Sequence, residues 1–109
     1  MIVRSEFDRL LLITQPDHAL LARRIMERCV PHATHPRRDV ILYAIQEHDN
    51  GWSEEDAAPR VNPSSGEIVD FVNAPADVRR NVWTRGVARL ADSCSASSCA
   101  HGSTRSPNP

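Results

Sequence analysis

Apolar residues recur at helical spacing in three stretches of this chain and at strand-like density only near its start. Residues 2–14 (IVRSEFDRLLLIT) carry two β-prone runs around a polar break at Ser5 to Asp8, the pattern of a short hairpin or an extended lead-in. Thr14-x-x-Asp17 then reads as a capping box, with Pro16 in the first turn, where its missing N–H costs nothing. The spacing predicts a helix over about 15–30. On it His18, Leu21, Ala22, Ile25, Met26 and Cys29 share one face, while Arg23, Arg24, Glu27 and Arg28 cover the remainder, so His18 is expected to point inward.

Pro31 stops that helix, and Thr34 or His35 is placed to cap a second one over about 36–49, with Pro36 at its start. Ile41, Ala44, Ile45 and His48 form its expected inward stripe, and Asn50-Gly51 suits a left-handed C-terminal turn. Residues 52–71, with Pro59, Pro63, Gly66 and several Ser, Asn and Asp, read as a long structured loop that turns at Asn62-Pro63-Ser64-Ser65-Gly66. A third helix is predicted over about 75–90, capped by Asn73, with Val78, Val82, Gly86 and Leu90 along one edge beside Trp83. From Asp92 the chain becomes DSCSASSCAHGSTRSPNP, which lacks every large apolar residue and is expected to be disordered. The organisation expected is a mainly α domain over 1–91 and a disordered Ser/Cys/Pro-rich tail over 92–109.

Length and composition narrow the picture without supplying a function. With 109 residues, 40% hydrophobic and 25% charged, the chain falls in the ordinary soluble class with one domain. Its 13 basic and 14 acidic residues leave a formal net charge of -1, so nothing in the charge balance argues for nucleic acid or a membrane surface. The apolar run Leu10 to Ile13 is too short for a signal segment or a membrane span, and cytoplasmic residence is the expectation. Three cysteines, Cys29, Cys94 and Cys99, make no even disulfide framework, so reduced thiols are expected.

The candidate chemistry lies in His18, His48 and Asp49. A histidine on an apolar helical face is more often a core residue with one hydrogen bond satisfied. His48 shifts that balance because it adjoins Asp49, a carboxylate beside Glu47 at a helix C-terminus, where the macrodipole disfavours negative charge by about 0.3–1 kcal/mol. A bound cation would reverse that penalty. Two imidazoles and a carboxylate suit a divalent transition metal, with Mn, Fe, Ni, Co or Zn all compatible. Asp17 either completes the helix cap or orients His18 from behind, and Trp52 either walls a pocket or plugs the core. The arginines at 23, 24, 28, 37 and 38 are more simply a solvated face than a phosphate site. His32 and His35 read as solvated loop residues, and Cys94, Cys99 and His101 lack the paired spacing of a zinc site.

With His18 on one helix and ILYAIQEHDNGW ending the next in the His48-Asp49 doublet, the chain resembles the HD-domain metal-dependent phosphohydrolases. LLITQPDHALLA together with HDNGW, AAPRVNPSSGE and DF is similar to an uncharacterised family of short bacterial proteins, a domain of unknown function of HD-like appearance; this resemblance covers about 1–90. It implies an HD-like helical bundle, a metal held by His18, His48 and Asp49, and hydrolysis of a phosphoester or nucleotide with Asp49 in a catalytic role. Such enzymes close the site with a further acid, for which Asp70, Asp77 and Asp92 are the candidates, and Trp52 stands where nucleotide-hydrolysing members often carry lysine. An HD bundle needs about five helices, so the bundle here is expected to be incomplete, its C-terminal part truncated or read out of frame. A non-catalytic metal- or ligand-binding module is the alternative, and a homodimer is one way to cover exposed apolar surface.

Overall fold

The computed structural model describes residues 1–100, with side chains through Ser95. It is mainly helical and opens on a two-stranded hairpin. Strand β1 (Ile2–Glu6) pairs antiparallel with β2 (Arg9–Ile13), in a register that runs from Ile2 opposite Ile13 to Glu6 opposite Arg9. The turn falls at the polar break, and Phe7 sits there at φ 48°, a conformation few side chains adopt.

Helix α1 (Gln15–Glu27) starts as the sequence predicts: the Asp17 backbone N–H donates to the Thr14 hydroxyl at 3.1 Å. Helix α2 (Arg38–Glu47) packs along it and is shorter than expected at both ends. No side chain caps it; the His35 ring instead accepts from the Arg37 N–H just outside the helix. Two of the arginines read as solvent-facing fasten this pair, since Arg23 donates to Glu27 and Gln46 and Arg38 donates to the Glu27 carbonyl.

The expected loop after the doublet is more structured than its composition suggests. A 3₁₀ turn (Asn50–Trp52) runs straight into helix α3 (Ser53–Ala57). Beyond it the chain doubles back where predicted, with Val61 bridged to Ile68, Asn62 and Gly66 closing the turn, and Gly66 at φ 72°. Asn73 does not show the capping role assigned to it. Its amide oxygen accepts from the Asp70 N–H, and the Asp70 carboxylate accepts from the N–H groups of Val72 and Asn73.

Helix α4 (Ala76–Ala100) corrects the expected tail, because residues 92–100 continue the helix without a break. That stretch contains neither Gly nor Pro, its alanines favour helix, and the Ser93 and Ser95 hydroxyls donate to the carbonyls of Arg89 and Ala91, satisfying themselves without leaving the helix. Residues 101–109, where the rest of that expectation falls, lie outside the described residues.

The core is small: Trp52, Ala74, Val78 and Val82 are buried together, with Val69 packed against them. On α1 only part of the predicted inward stripe is covered. Leu21 and Ile25 are 56% and 60% exposed and His18 is exposed too, whereas the adjacent Gln15 and Ala19 are buried. On α2, Leu42 is buried while Ala44 and His48 of the expected stripe are exposed. Ala22, Met26 and Cys29 of the α1 stripe and Ile41 and Ile45 of the α2 stripe are half-buried, so the expected faces are covered in part.

Candidate functional site

The 3₁₀ turn after His48-Asp49 is gripped by α4. The Arg85 guanidinium donates to the Gly51 carbonyl at 3.0 Å, and Arg89 donates to the Asn50 carbonyl at 2.6 Å. Each arginine also pairs with an acid of α3, Arg85 with Glu55 at 3.3 Å and Arg89 with Glu54. The hydrogen bond from Arg89 holds the Glu54 carboxyl below its usual range, and the one from Arg23 does the same to Glu27. Gly51 has no side chain because α4 passes directly against it. The left-handed turn expected there is absent, as Gly66 is the one glycine at positive φ among the described residues.

Asp56 fixes the other wall. One carboxylate oxygen lies 2.6 Å from the Met1 ammonium and the other accepts from the Gln15 N–H at 2.6 Å, with both ion-pair partners buried. The start of α1, from which Gln15 and His18 project one turn apart, is thereby tied to the segment that follows the doublet.

Between these walls lies a cleft of about 610 Å³. His18, His48, Asp49 and Trp52 all line it, so four of the five residues singled out from sequence meet in one depression. Trp52 is both core plug and cleft floor, being buried in the core cluster and lining the cleft. Asp17, the fifth, is exposed and serves the helix cap through its backbone. Of the candidate further acids, Asp70 is spent on its own turn, Asp92 lines a separate shallow cleft with Glu47 and Asn50, and neither they nor Asp77 line this one. His32 and His35 lie 6.5 Å apart by ring centroids in the interhelical connector and are absent from the lining. Cys29 is half-buried and Cys94 exposed, while the Cys99 side chain and His101 lie outside the described residues.

His48 is the best-oriented of the polar groups. Its Nδ1 stands 2.6 Å from the Ile45 carbonyl, to which an Nδ1–H donates, leaving Nε2 3.0 Å from an Asp49 oxygen. A nitrogen lone pair and a carboxylate at that distance need a proton or a cation between them. Histidines that bind metal commonly donate the other ring N–H to a backbone carbonyl, and the donor set of two imidazoles and one carboxylate suits a borderline divalent ion. No group of three or more His, Cys, Asp and Glu among the described residues is close enough to hold one.

Two lining residues escaped the sequence reading. Gln15 is buried, and its amide oxygen has no hydrogen-bond partner, a state that costs about 1–3 kcal/mol unless something donates to it. Its three-residue spacing from His18 was the available signal. Arg79 lines the opposite side, on α4, and no sequence pattern distinguished it from the other arginines. The rest of the lining is apolar, chiefly Phe71, Val82, Trp83, Val87 and Leu90.

A helical chain with an N-terminal hairpin and a His/Asp-lined cleft defines the class. Residues 1–94 match the family model described as Protein of unknown function (DUF3891), and the chain belongs to that family. No curated protein and no solved structure matches it. No helix among the described residues is long and apolar enough to cross a membrane.

Proposed function

We propose that this chain is a metal-dependent hydrolase of HD type acting on a phosphoester or nucleotide, with His18, His48 and Asp49 holding a divalent transition metal. The observation that carries the reading is convergence: residues thirty apart in sequence, from the start of α1 and the end of α2, line one cleft. A divalent ion there would supply Lewis acidity toward water and a phosphoryl oxygen. The chain's own groups account for the rest. The Ile45 carbonyl fixes the His48 tautomer, the half-buried Asp49 carboxylate can take a proton from an attacking water, and Arg79 can offset phosphate charge. An HD-like bundle, with a ligand histidine on one helix and the doublet closing the next, is the arrangement this reading assigns to the fold.

Metal analysis of the purified chain, followed by a screen against generic phosphoesters with Mn, Fe, Ni, Co or Zn restored, tests the reading. Stoichiometric metal with turnover supports it; a chain that retains no metal and hydrolyses nothing with any of the five overturns it. The absence of a close three-ligand group favours a second reading, a non-catalytic module that binds a metal or small ligand. Binding without turnover would establish that one instead.

A further inference from the structure

Helix α4 carries two seams of regular spacing, and the fold covers one of them. Val78, Val82, Arg85 and Arg89 recur at steps of four, three and four and face the body: the valines are buried in the core and the arginines grip the 3₁₀ turn. A second series, Ala76, Arg80, Trp83, Val87, Leu90 and Cys94, repeats the four-three spacing about a third of a turn away, and all but the half-buried Leu90 are exposed. The remaining sector, with Asp77, Asn81, Thr84 and Asp92, is polar and suits water. A helix that packs only on its own body needs one apolar stripe, so the second stripe calls for a second neighbour.

That seam is its own complement. Laid antiparallel against a second copy, it sets Trp83 opposite the partner's Cys94 and Val87 opposite the partner's Leu90, large against small and apolar against apolar. Parallel pairing would instead bring Arg80 against the partner's Arg80, two like charges in one layer. The antiparallel overlap, residues 80–97, spans about 27 Å at 1.5 Å per residue, and it uses the helical stretch after Ala91, whose small side chains leave room for an indole. Trp83 is 74% exposed and Val87 62%. With Phe71 at the cleft mouth, the strip closed by such a pair comes to roughly 600 Å² per copy, at the lower end of what stable interfaces bury.

We infer that α4 is a dimerisation helix, through which two copies of this chain pair antiparallel along Trp83, Val87 and Leu90. A two-fold contact uses the same patch on both copies and closes at two. The same three residues line the cleft, so each copy's helix lies along the mouth of the other's cleft and narrows the approach to His18, His48 and Asp49 in both. The pairing requires neither metal nor turnover, and its failure would leave the hydrolase reading untouched.

Sedimentation equilibrium of the full chain, from about 1 to about 200 μM, tests the inference. The mass should rise from that of one chain towards that of two, with a Kd of about 10 μM. Val87→Glu, which would bury a carboxylate in the seam, should raise that Kd about 100-fold, while Asn81→Glu on the polar sector should leave it unchanged. Both positions are exposed in the single chain, so neither replacement disturbs the fold, and circular dichroism verifies this. Orientation is read from Trp83→Cys after air oxidation and peptide mapping. Positions 83 and 94 lie about 16 Å apart along one helix, too far for a bond within one chain, so a disulfide between them arises only between antiparallel copies. A chain that stays monomeric at about 200 μM, a dimer that survives Val87→Glu, assemblies larger than two, or cross-links joining 83 to 83 would each overturn the inference.

Discussion

Gly51 and Val82 meet backbone to backbone: a Cβ on Gly51 would stand 2.1 Å from the Val82 carbonyl oxygen. The 3₁₀ turn that follows the His48-Asp49 doublet can therefore lie flush against α4 only with glycine at this position. Gly51→Ala should destabilise the chain by about 3 kcal/mol, since the obstructing atom is backbone and cannot rotate away. Gly86→Ala is the control. A Cβ there meets the Asn50 side-chain oxygen at 3.2 Å, and the helix-propensity gain offsets that mild contact, so urea denaturation should show a small change for Gly86→Ala and a large one for Gly51→Ala.

Asp56 ties α3 to the chain's first residue and to the start of α1 through the Met1 ammonium and the Gln15 N–H. Replacing one partner of a buried ion pair strands the other charge, so Asp56→Ala should cost about 3–5 kcal/mol. Asp17→Ala, which leaves the backbone contact to Thr14 in place, should cost far less. Thermal unfolding of the two variants side by side measures the difference; equal losses would mean that the pair contributes nothing to fixing the start of α1.

The Glu54 carboxyl is held below its ordinary value of 4.5, first by the hydrogen bond from Arg89. A carboxylate depressed in the folded state stabilises it above the unfolded pKa, and that contribution disappears as pH falls through the folded value. The wild-type chain should therefore exceed Glu54→Gln in stability at neutral pH. The gap should close as the pH drops below about 4.5. Denaturation midpoints of both proteins from pH 7 to pH 3 read this directly, and a gap that widens on acidification would contradict it.

What the sequence made legible was local. The hairpin break at Ser5 to Asp8, the Thr14 cap and the turn at Asn62 to Gly66 each depend on residues within a few positions of one another, and each is present. That His18, His48 and Asp49 line one cleft follows from their places at the far ends of two helices joined by a short connector, but they form no group close enough to hold a metal. Long-range relations were not. Nothing near Asp56 announces that it will bind the chain's first residue, and nothing near Gly51 announces α4; its glycine was assigned to a turn when steric contact is the reason. The apolar stripe of α1 was legible only in part for a related cause: Ala22, Met26 and Cys29 are half-buried while Leu21 and Ile25 are exposed, and spacing shows which side chains share a face and not what lies over each. Residues 92–100 misled differently: a segment with little to bury was expected to be disordered, yet as an extension of an existing helix it escapes the cost of nucleation.

The metal reading separates His48 from the other histidines. With Nδ1–H donating to the Ile45 carbonyl, the His48 Nε2 faces Asp49, whereas His32 lies in the interhelical connector away from the cleft. In a site with three protein ligands each one matters, so His48→Ala and His18→Ala should each lower metal affinity by about tenfold or more, while His32→Ala should retain it. Calorimetric titration with Mn, Co and Zn distinguishes these cases without any substrate. Equal affinity in the His48 and His32 variants would show that the metal is held adventitiously, and would leave the cleft as a ligand-binding site whose polar groups serve recognition rather than hydrolysis.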